Sequence, residues 1–295
     1  MIEKLEFKKV LMLLFMTSFY MAHAQLTDLA RLEYSFIPKS NSEDQYTRLR
    51  ALLNYPIELK NDSYFIVGGE YNRILLNLED EYDFETSGLS KIHVIDLNLA
   101  YTFKWNEKWR FGVKFNPRIA STLTHKLNSD DFFMNGGVFF INKRTASDEI
   151  KKDSRLILGL TYNATTGLPF PLPFVSYYRK IDENWSYTAG IPKSNLKYHF
   201  NPKNNLQVFT GLDGYLAHLQ KPLVINEKEA EHISLSVAVS GLGYEYCFTK
   251  HLAAYLYTGY TVRLNNVIRS NNRDEIFKLD DINAFYLRSG LKFKI

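Results

Sequence analysis

Apolar and polar side chains alternate with a period of two along most of this chain, over stretches too long for an ordinary sheet. From His93 to Trp105 one row reads Ile95, Leu97, Leu99, Tyr101, Phe103 and Trp105, and its partner row holds Asp96, Asn98, Thr102 and Lys104. From Thr47 to Leu59 the apolar row is Leu49, Ala51, Leu53, Tyr55, Ile57 and Leu59, opposed by Arg48, Arg50, Asn54 and Glu58. Leu32, Tyr34 and Phe36 oppose Arg31, Glu33 and Ser35, and Trp109, Phe111, Val113 and Phe115 oppose Arg110, Gly112, Lys114 and Asn116. A helix turning every 3.6 residues would smear each row around its circumference. Globular strands average about five or six residues, whereas a tilted strand crossing a bilayer needs about 9–11. The length therefore points to membrane-spanning strands. A two-sheet sandwich also alternates, but it would have to bury most of these aromatics between its sheets, and it seldom uses strands this long.

Composition agrees. The chain is 15% aromatic, yet 23% of it is charged and its mean hydropathy is −0.25. A helical membrane protein needs long apolar runs, and none near span length follows Ala24. A barrel needs only one side chain in two to face lipid. The single Cys247 excludes an internal disulfide, which a closed hydrogen-bonded wall does not require. Net charge is +4. The first 24 residues hold three Lys and two Glu, so the remainder carries +3, too little to argue for nucleic acid.

The amino end reads as a secretory signal over residues 1–24. Lys4, Lys8 and Lys9 precede an uncharged apolar run at 10–22, and Ala22-His23-Ala24 places small residues for cleavage before Gln25. The run is shorter than the roughly 20 residues of a spanning helix. Residues 25–295 then form one barrel.

Connections alternate in length. Tight polar turns fall at 60–63, 106–108, 182–184, 202–205 and 249–251, and longer polar loops at 38–45, 78–90, 124–130, 218–231 and 265–281. Short periplasmic turns and long extracellular loops are the barrel asymmetry. Residues 143–153 are long on the short side and 192–194 short on the long side. The count is about fourteen antiparallel up-and-down strands, or twelve if residues 185–201 form a loop. The last strand ends the chain, with Phe285, Leu287, Leu291, Phe293 and Ile295 on one face and Tyr286, Arg288, Gly290, Lys292 and Lys294 on the other. Closing strands read by barrel-assembly machinery resemble this, although Phe is commoner than Ile at the end.

Gly167-Leu-Pro-Phe-Pro-Leu-Pro-Phe174, with Ser176-Tyr-Tyr178, Trp185 and Gly190-Ile-Pro192, resembles an uncharacterised family of outer-membrane β-barrels carried as a domain of unknown function. The resemblance implies a fold and a location, and brings no reaction, ligand or catalytic residue. Physically, three prolines remove backbone donors and disfavour a paired strand interior. Residues 167–172 are therefore expected in an external loop, with Pro169, Phe170 and Pro171 a candidate constriction if it folds inward.

Catalytic and metal chemistry find little support. His93, His125, His199, His218, His232 and His251 lie in no hydrolase motif. The nearest approach is His232 and Ser234 on one strand face, where same-face neighbours are inevitable. The acidic run 79–85 lacks the spacing and glycine of a calcium loop and reads as a solvated loop, as do Asp274-Glu275 and Asp280-Asp281. We expect no enzyme activity, cofactor or metal.

The inner rows are the constellation that bears on function. Arg31, Glu33, Arg48, Arg50, Glu58, Asp96, Lys104, Arg110, Lys114, Arg118, Arg288 and Lys292 should point into the lumen, with cations in excess. Either these charges cross-link and fill the interior, or they line a watery passage with a mild anion preference. About fourteen strands make a barrel wider than the eight-stranded kind that side chains fill. The sequence thus points to a passive or substrate-selective channel for small polar solutes. A non-conducting structural, adhesion or envelope-maintenance barrel is the alternative. Outer-membrane lipid, lipopolysaccharide and the assembly machinery are the expected partners.

Overall fold

The computed structural model describes residues 28–39, 43–145, 152–164, 167–279 and 282–294. The signal sequence, Ile295 and Asp280-Asp281 lie outside these residues. Long amphipathic strands pair in sequence order: β1 (Ala30–Ile37), β2 (Gln45–Leu59), β3 (Ser63–Asn77), β4 (Lys91–Lys104), β5 (Trp109–Ser121), β6 (Phe132–Arg144) and β7 (Ser154–Asn163). The wall continues through β8 (Phe170–Lys180), β9 (Trp185–Ile191), β10 (Lys193–His199), β11 (Asn204–Ile225), β12 (Lys228–Cys247) and β13 (Leu252–Arg269). A short β14 (Glu275–Lys278) hangs on β13, and β15 (Phe285–Phe293) pairs with both β13 and β1. The result is a closed antiparallel barrel of fourteen strands with β14 as an extra. Closure gives every wall strand a neighbour on each side over at least part of its length, as lipid demands of a β-structure.

The alternation sorts side chains as expected. Leu53, Leu97, Phe115, Met134, Leu242 and Leu291 stand outward and exposed, while Glu33, Arg48, Asp96, Asn98 and Glu245 are buried inside. Aromatic residues gather outside near the tight turns, where Trp105, Phe111 and Phe140 pack with ring centroids 5.2–5.7 Å apart. That is the position of an interfacial aromatic girdle. Residues 185–201 form the hairpin β9–β10, so the count is fourteen rather than twelve.

Two expectations about loops are corrected. Residues 218–231 are not a long loop: β11 and β12 run on to a two-residue turn at Asn226 and Glu227, both in the left-handed region with φ of 51° and 62°. A turn of that kind follows the twist of its strands, so the hairpin continues beyond the wall, with a bulge in β11 between His218 and Leu223. Residues 265–281 likewise contain the end of β13 and all of β14.

Residues 167–172 are also not simply a loop, because Phe170, Pro171 and Leu172 belong to β8 and pair with β7 at Asn163, Tyr162 and Thr161. Prolines are tolerated there because β8 gains its other neighbour only at Val175, opposite Ile191. Lys180 donates its N–H to Asp153 on the β7 side, so by strand alternation the nitrogens of Pro171 and Pro173 face the side with no partner. They occupy an edge, the one place in a sheet where a missing donor costs no ladder bond.

Candidate functional site

The extended hairpin turns inward instead of rising from the rim. The last pair between β10 and β11 is Lys193 with Gly211, and beyond it His218 pairs in parallel with Ser121 of β5. In a ring of fourteen strands β5 lies nearly opposite β11. Strands ~4.8 Å apart and tilted by ~40° give a bore of roughly 27 Å between backbones. The seven-residue step from Gly211 to His218 covers roughly 23 Å at ~3.3 Å per residue. So β11 crosses the lumen.

It carries β12, the far part of β13 and β14 with it, since β13 leaves β15 after Tyr260. These four strands form a lid over the loop-end mouth. Leu216, Leu219, Ile233 and Ile268 in the lid are at most 1% exposed, packed with Ile74, Ile92 and Phe133 of the opposite wall. Each such side chain contributes about 1.5–3 kcal/mol.

Polar contacts fix where the lid lands. Thr122 donates its N–H to the His218 carbonyl (3.2 Å), and His218 Nδ1 lies 2.8 Å from Asp131 Oδ1. Gln220 Nε2 donates to Asp131 Oδ2 (2.7 Å) and its Oε1 accepts from the His125 N–H (2.6 Å). Burial alone would raise the Asp131 pKa. Hydrogen bonds from Ser121, the Asn128 N–H, His218 and Gln220 outweigh it and hold the carboxyl below its ordinary value.

Beneath the lid the lumen divides into two halves. In one, charges tie strands together across the bore. Arg48 of β2 donates to both oxygens of Asp213 (2.9 and 2.6 Å), where β11 starts its crossing, and Arg288 of β15 adds a third bond at 3.0 Å. Glu33 accepts from Tyr255 (2.7 Å) and lies 3.9 Å from Arg31, Arg50 and Arg288. Nearer the turn end, Glu245 gathers Lys292 (2.8 Å), Lys197 and Lys294 (both 3.4 Å). Lys193 Nζ instead stands over the rings of Tyr257 (5.2 Å) and Phe209 (5.8 Å).

The other half is a chamber of about 250 Å³. Its charged side comes from β2 to β5, where Arg50 binds Glu70 (2.7 Å) and Arg118 binds Asp96 (2.8 and 3.0 Å). A row of amides follows, Asn98 donating to Asn54 (3.0 Å) and Asn116 to Asn98 (2.5 Å). Lys114 lines the chamber, is exposed within the wall, and among the described residues makes no ion pair. Both side-chain polar atoms of Asn135 are buried there without a partner among the described residues. The chamber turns apolar toward β8, at Phe139, Leu172 and Phe174. Phe139 and Phe174 meet edge to face at 5.4 Å across Gly159, where a Cβ would lie 2.7 Å from the Phe139 ring.

Among the sequence-predicted residues, Arg31, Glu33, Arg48 and Arg288 belong to the tied half and Arg50, Asp96, Lys114 and Arg118 to the chamber. Lys292 goes to the Glu245 cluster. Glu58 and Lys104 lie exposed at the turn end, where Arg110 binds Asp62 of a turn at 2.9 Å. The candidate constriction is redistributed: Pro171 faces outward beside Tyr162, while Phe170 shares the inner row with Leu172 and Phe174. Sequence reading missed Asp213, Glu245, Glu70 and Lys193. For Asp213, continuing the alternation of Gln207, Phe209 and Gly211 would have found it.

Two further clusters bear on chemistry. Ser234 accepts from Arg269 Nε (3.0 Å) and is not engaged by His232, which packs on His218 at 5.6 Å between centroids. Near the turn end, Ser186 Oγ lies 2.9 Å from His199 Nε2, and His199 Nδ1 lies 2.5 Å from Asn205 Oδ1. That row has the order of an acyl-transfer triad. Ser186, however, is 4% exposed, His199 lies directly opposite Asn205, and Ser186, opposite Lys197, is the diagonal neighbour of His199 on the same face, so register alone brings the three together. Among the described residues no group of His, Cys, Asp and Glu could hold a metal ion.

Comparison with known proteins places the chain in a family. A family model described as a domain of unknown function, DUF6268, matches residues 20–294, and the chain belongs to that family. No curated protein matches it. Similar solved structures include the NanC porin (12% identity, 90% of this chain and 100% of that one, TM-score 0.37) and the KdgM porin (8%, 90% and 99%, 0.36). LpxR from Salmonella typhimurium is another (9%, 90% and 100%, 0.40).

Proposed function

We propose that this member of the family resides in an outer membrane as a substrate-selective channel for small polar solutes, with a weak preference for anions and a lid that gates its outer mouth. The chamber carries the reading. A barrel whose inner charges served only to cross-link it would leave no room for an exposed Lys114 among two satisfied ion pairs. Three cations against two carboxylates leave one positive charge in a space smaller than the ~300–1,000 Å³ of drug-sized sites. Small anions are favoured there, and lifting of the lid admits them from outside.

A non-conducting barrel is the second reading, favoured by the ties across the bore at Asp213 and Glu245. Planar-bilayer recording separates the two. The channel reading expects sparse, discrete openings from the wild-type protein and more frequent ones from Arg48→Met, which frees the root of the lid. Silence from both, in protein whose heat-modifiable gel mobility shows a folded barrel, refutes the channel.

A further inference from the structure

The wall beside the chamber is incomplete. β9 and β10 have seven residues each, fewer than the roughly 9–11 a tilted strand needs to cross a bilayer, and they meet at Pro192. Starting from Trp185 at the turn end, this hairpin stops within the apolar band. On one side of it, residues 170–174 of β8 continue with no β9 partner. On the other, β11 leaves the wall at Leu212, whose N–H is the last to bond the hairpin, at the Pro192 carbonyl (2.9 Å). Above Pro192 no strand therefore stands beside β8 in the wall, and the opening along its edge at residues 170–174 ends where Gly167 lies against the Asn265 side chain of the lid.

An open strand edge in lipid would strand its N–H groups, which the bilayer cannot satisfy. On the β8 edge the backbone nitrogens that face the gap are those of Pro171 and Pro173, and proline carries no N–H, while on the β11 edge the Gly214 N–H is taken up by Asp213 Oδ1 at 2.9 Å. The proline run that looked like a loop signal makes this edge tolerable. Pro192, Leu172 and Phe174 line both the gap and the chamber, so the chamber is apolar where it meets the wall and charged at its far side.

We propose that the chamber binds a single-chain anionic amphiphile that enters sideways from the membrane. Its carboxylate or phosphate head lies against Lys114 and the unpartnered Asn135 amide, and its alkyl chain runs out past Phe174 and Leu172 through the gap. A 250 Å³ chamber takes one small head group, and the unpaired β8 edge beside it leaves a path for its chain. The closed lid is no obstacle to this route. The proposal takes only the chamber from the channel reading and holds whether or not ions are conducted.

The test uses the full mature protein in a neutral maltoside or nanodisc, with radiolabelled laurate, butyrate and dodecanol as probes. Laurate should bind saturably, one per barrel, and at least tenfold more tightly than butyrate or dodecanol. Lys114→Gln should weaken laurate at least tenfold, as should Leu172→Lys, which sets a charge in the gap. Gel mobility establishes that each variant is folded. Equal binding of butyrate and laurate would mean an aqueous route to the chamber and overturn sideways entry. No laurate binding by folded wild type, or binding indifferent to Lys114→Gln, would overturn the site. Laurate binding together with silence in the bilayer would refute the channel while upholding the proposal.

Discussion

Replacing Arg48 by Met should loosen the lid without dismantling the barrel. Arg48 is buried, and both its bonds go to Asp213 at the point where β11 leaves the wall. Removing one member of a buried pair costs about 3–5 kcal/mol when the other charge is left alone. Asp213 keeps Arg288 at 3.0 Å, and its side chain is 22% exposed, so water repays part of the loss. We therefore expect about 2–3 kcal/mol, borne by the lid. At about 1.4 kcal/mol per tenfold, opening becomes about 30- to 150-fold more frequent. Amide hydrogen exchange reads this directly, because exchange of protected amides follows local opening. Protection at residues 213–219 and 232–237 should fall by that factor, while β2–β3 and β15 amides near the turn end stay protected. Adding Asp213→Leu should restore much of the protection, since an apolar pair leaves no orphan charge. Unchanged protection in the lid, or a uniform loss around the barrel, would refute a lid rooted at Asp213.

Three other outcomes follow from the same structure. Leu97→Arg should impair insertion by about 2–4 kcal/mol as a charge set on the lipid face near midplane, whereas Asn98→Arg, one residue on and inside, should insert; equal insertion of both in a membrane-incorporation assay would put the β4 register in error. Acid should loosen the lid through Asp131. Its pKa is depressed by hydrogen bonds from Ser121, the Asn128 N–H, His218 and Gln220, so its contribution is complete above the ordinary carboxylate value of ~3.9 and is lost as pH falls through the lower folded value. Lid exchange rates, corrected for their intrinsic pH dependence, should rise below about pH 4 in wild type and lose that step in Asp131→Asn. Finally, a fluorophosphonate probe should leave Ser186 unlabelled, because a nearly buried serine offers no nucleophile; covalent labelling there would make the Ser186, His199 and Asn205 row a hydrolase site.

How much of this was legible in the sequence depends on how far each residue's role is local. The wall was: Leu97 against Asn98, or Leu291 against Lys292, follows from alternation alone, and the inner charges Arg48, Arg50, Lys114 and Arg288 came with it. The lid was not. Lys221, Lys228, Glu229 and Glu231 make residues 218–231 read as solvated, and Asn226-Glu227 lacks the glycine that marks a tight hairpin. Leu223, Val224 and Ile225 were the contrary signal, too apolar for a free loop. The prolines misled for a different reason. Their tolerance depends on the shortness of β9 and β10 next door, a tertiary fact that no local rule about proline contains. The pairing of Arg48 with Asp213, 165 residues away, is likewise set by β11 crossing the bore.

The proposed channel turns on Lys114, the chamber-lining cation that makes no ion pair among the described residues. Reversal potential in a salt gradient tests it most directly, measured on openings of the Arg48→Met protein with and without Lys114→Glu. A weakly anion-selective potential is expected, changing sign in the Lys114→Glu variant at equal gel-shift competence. Cation selectivity at the outset, or a potential that ignores Lys114→Glu, would contradict it.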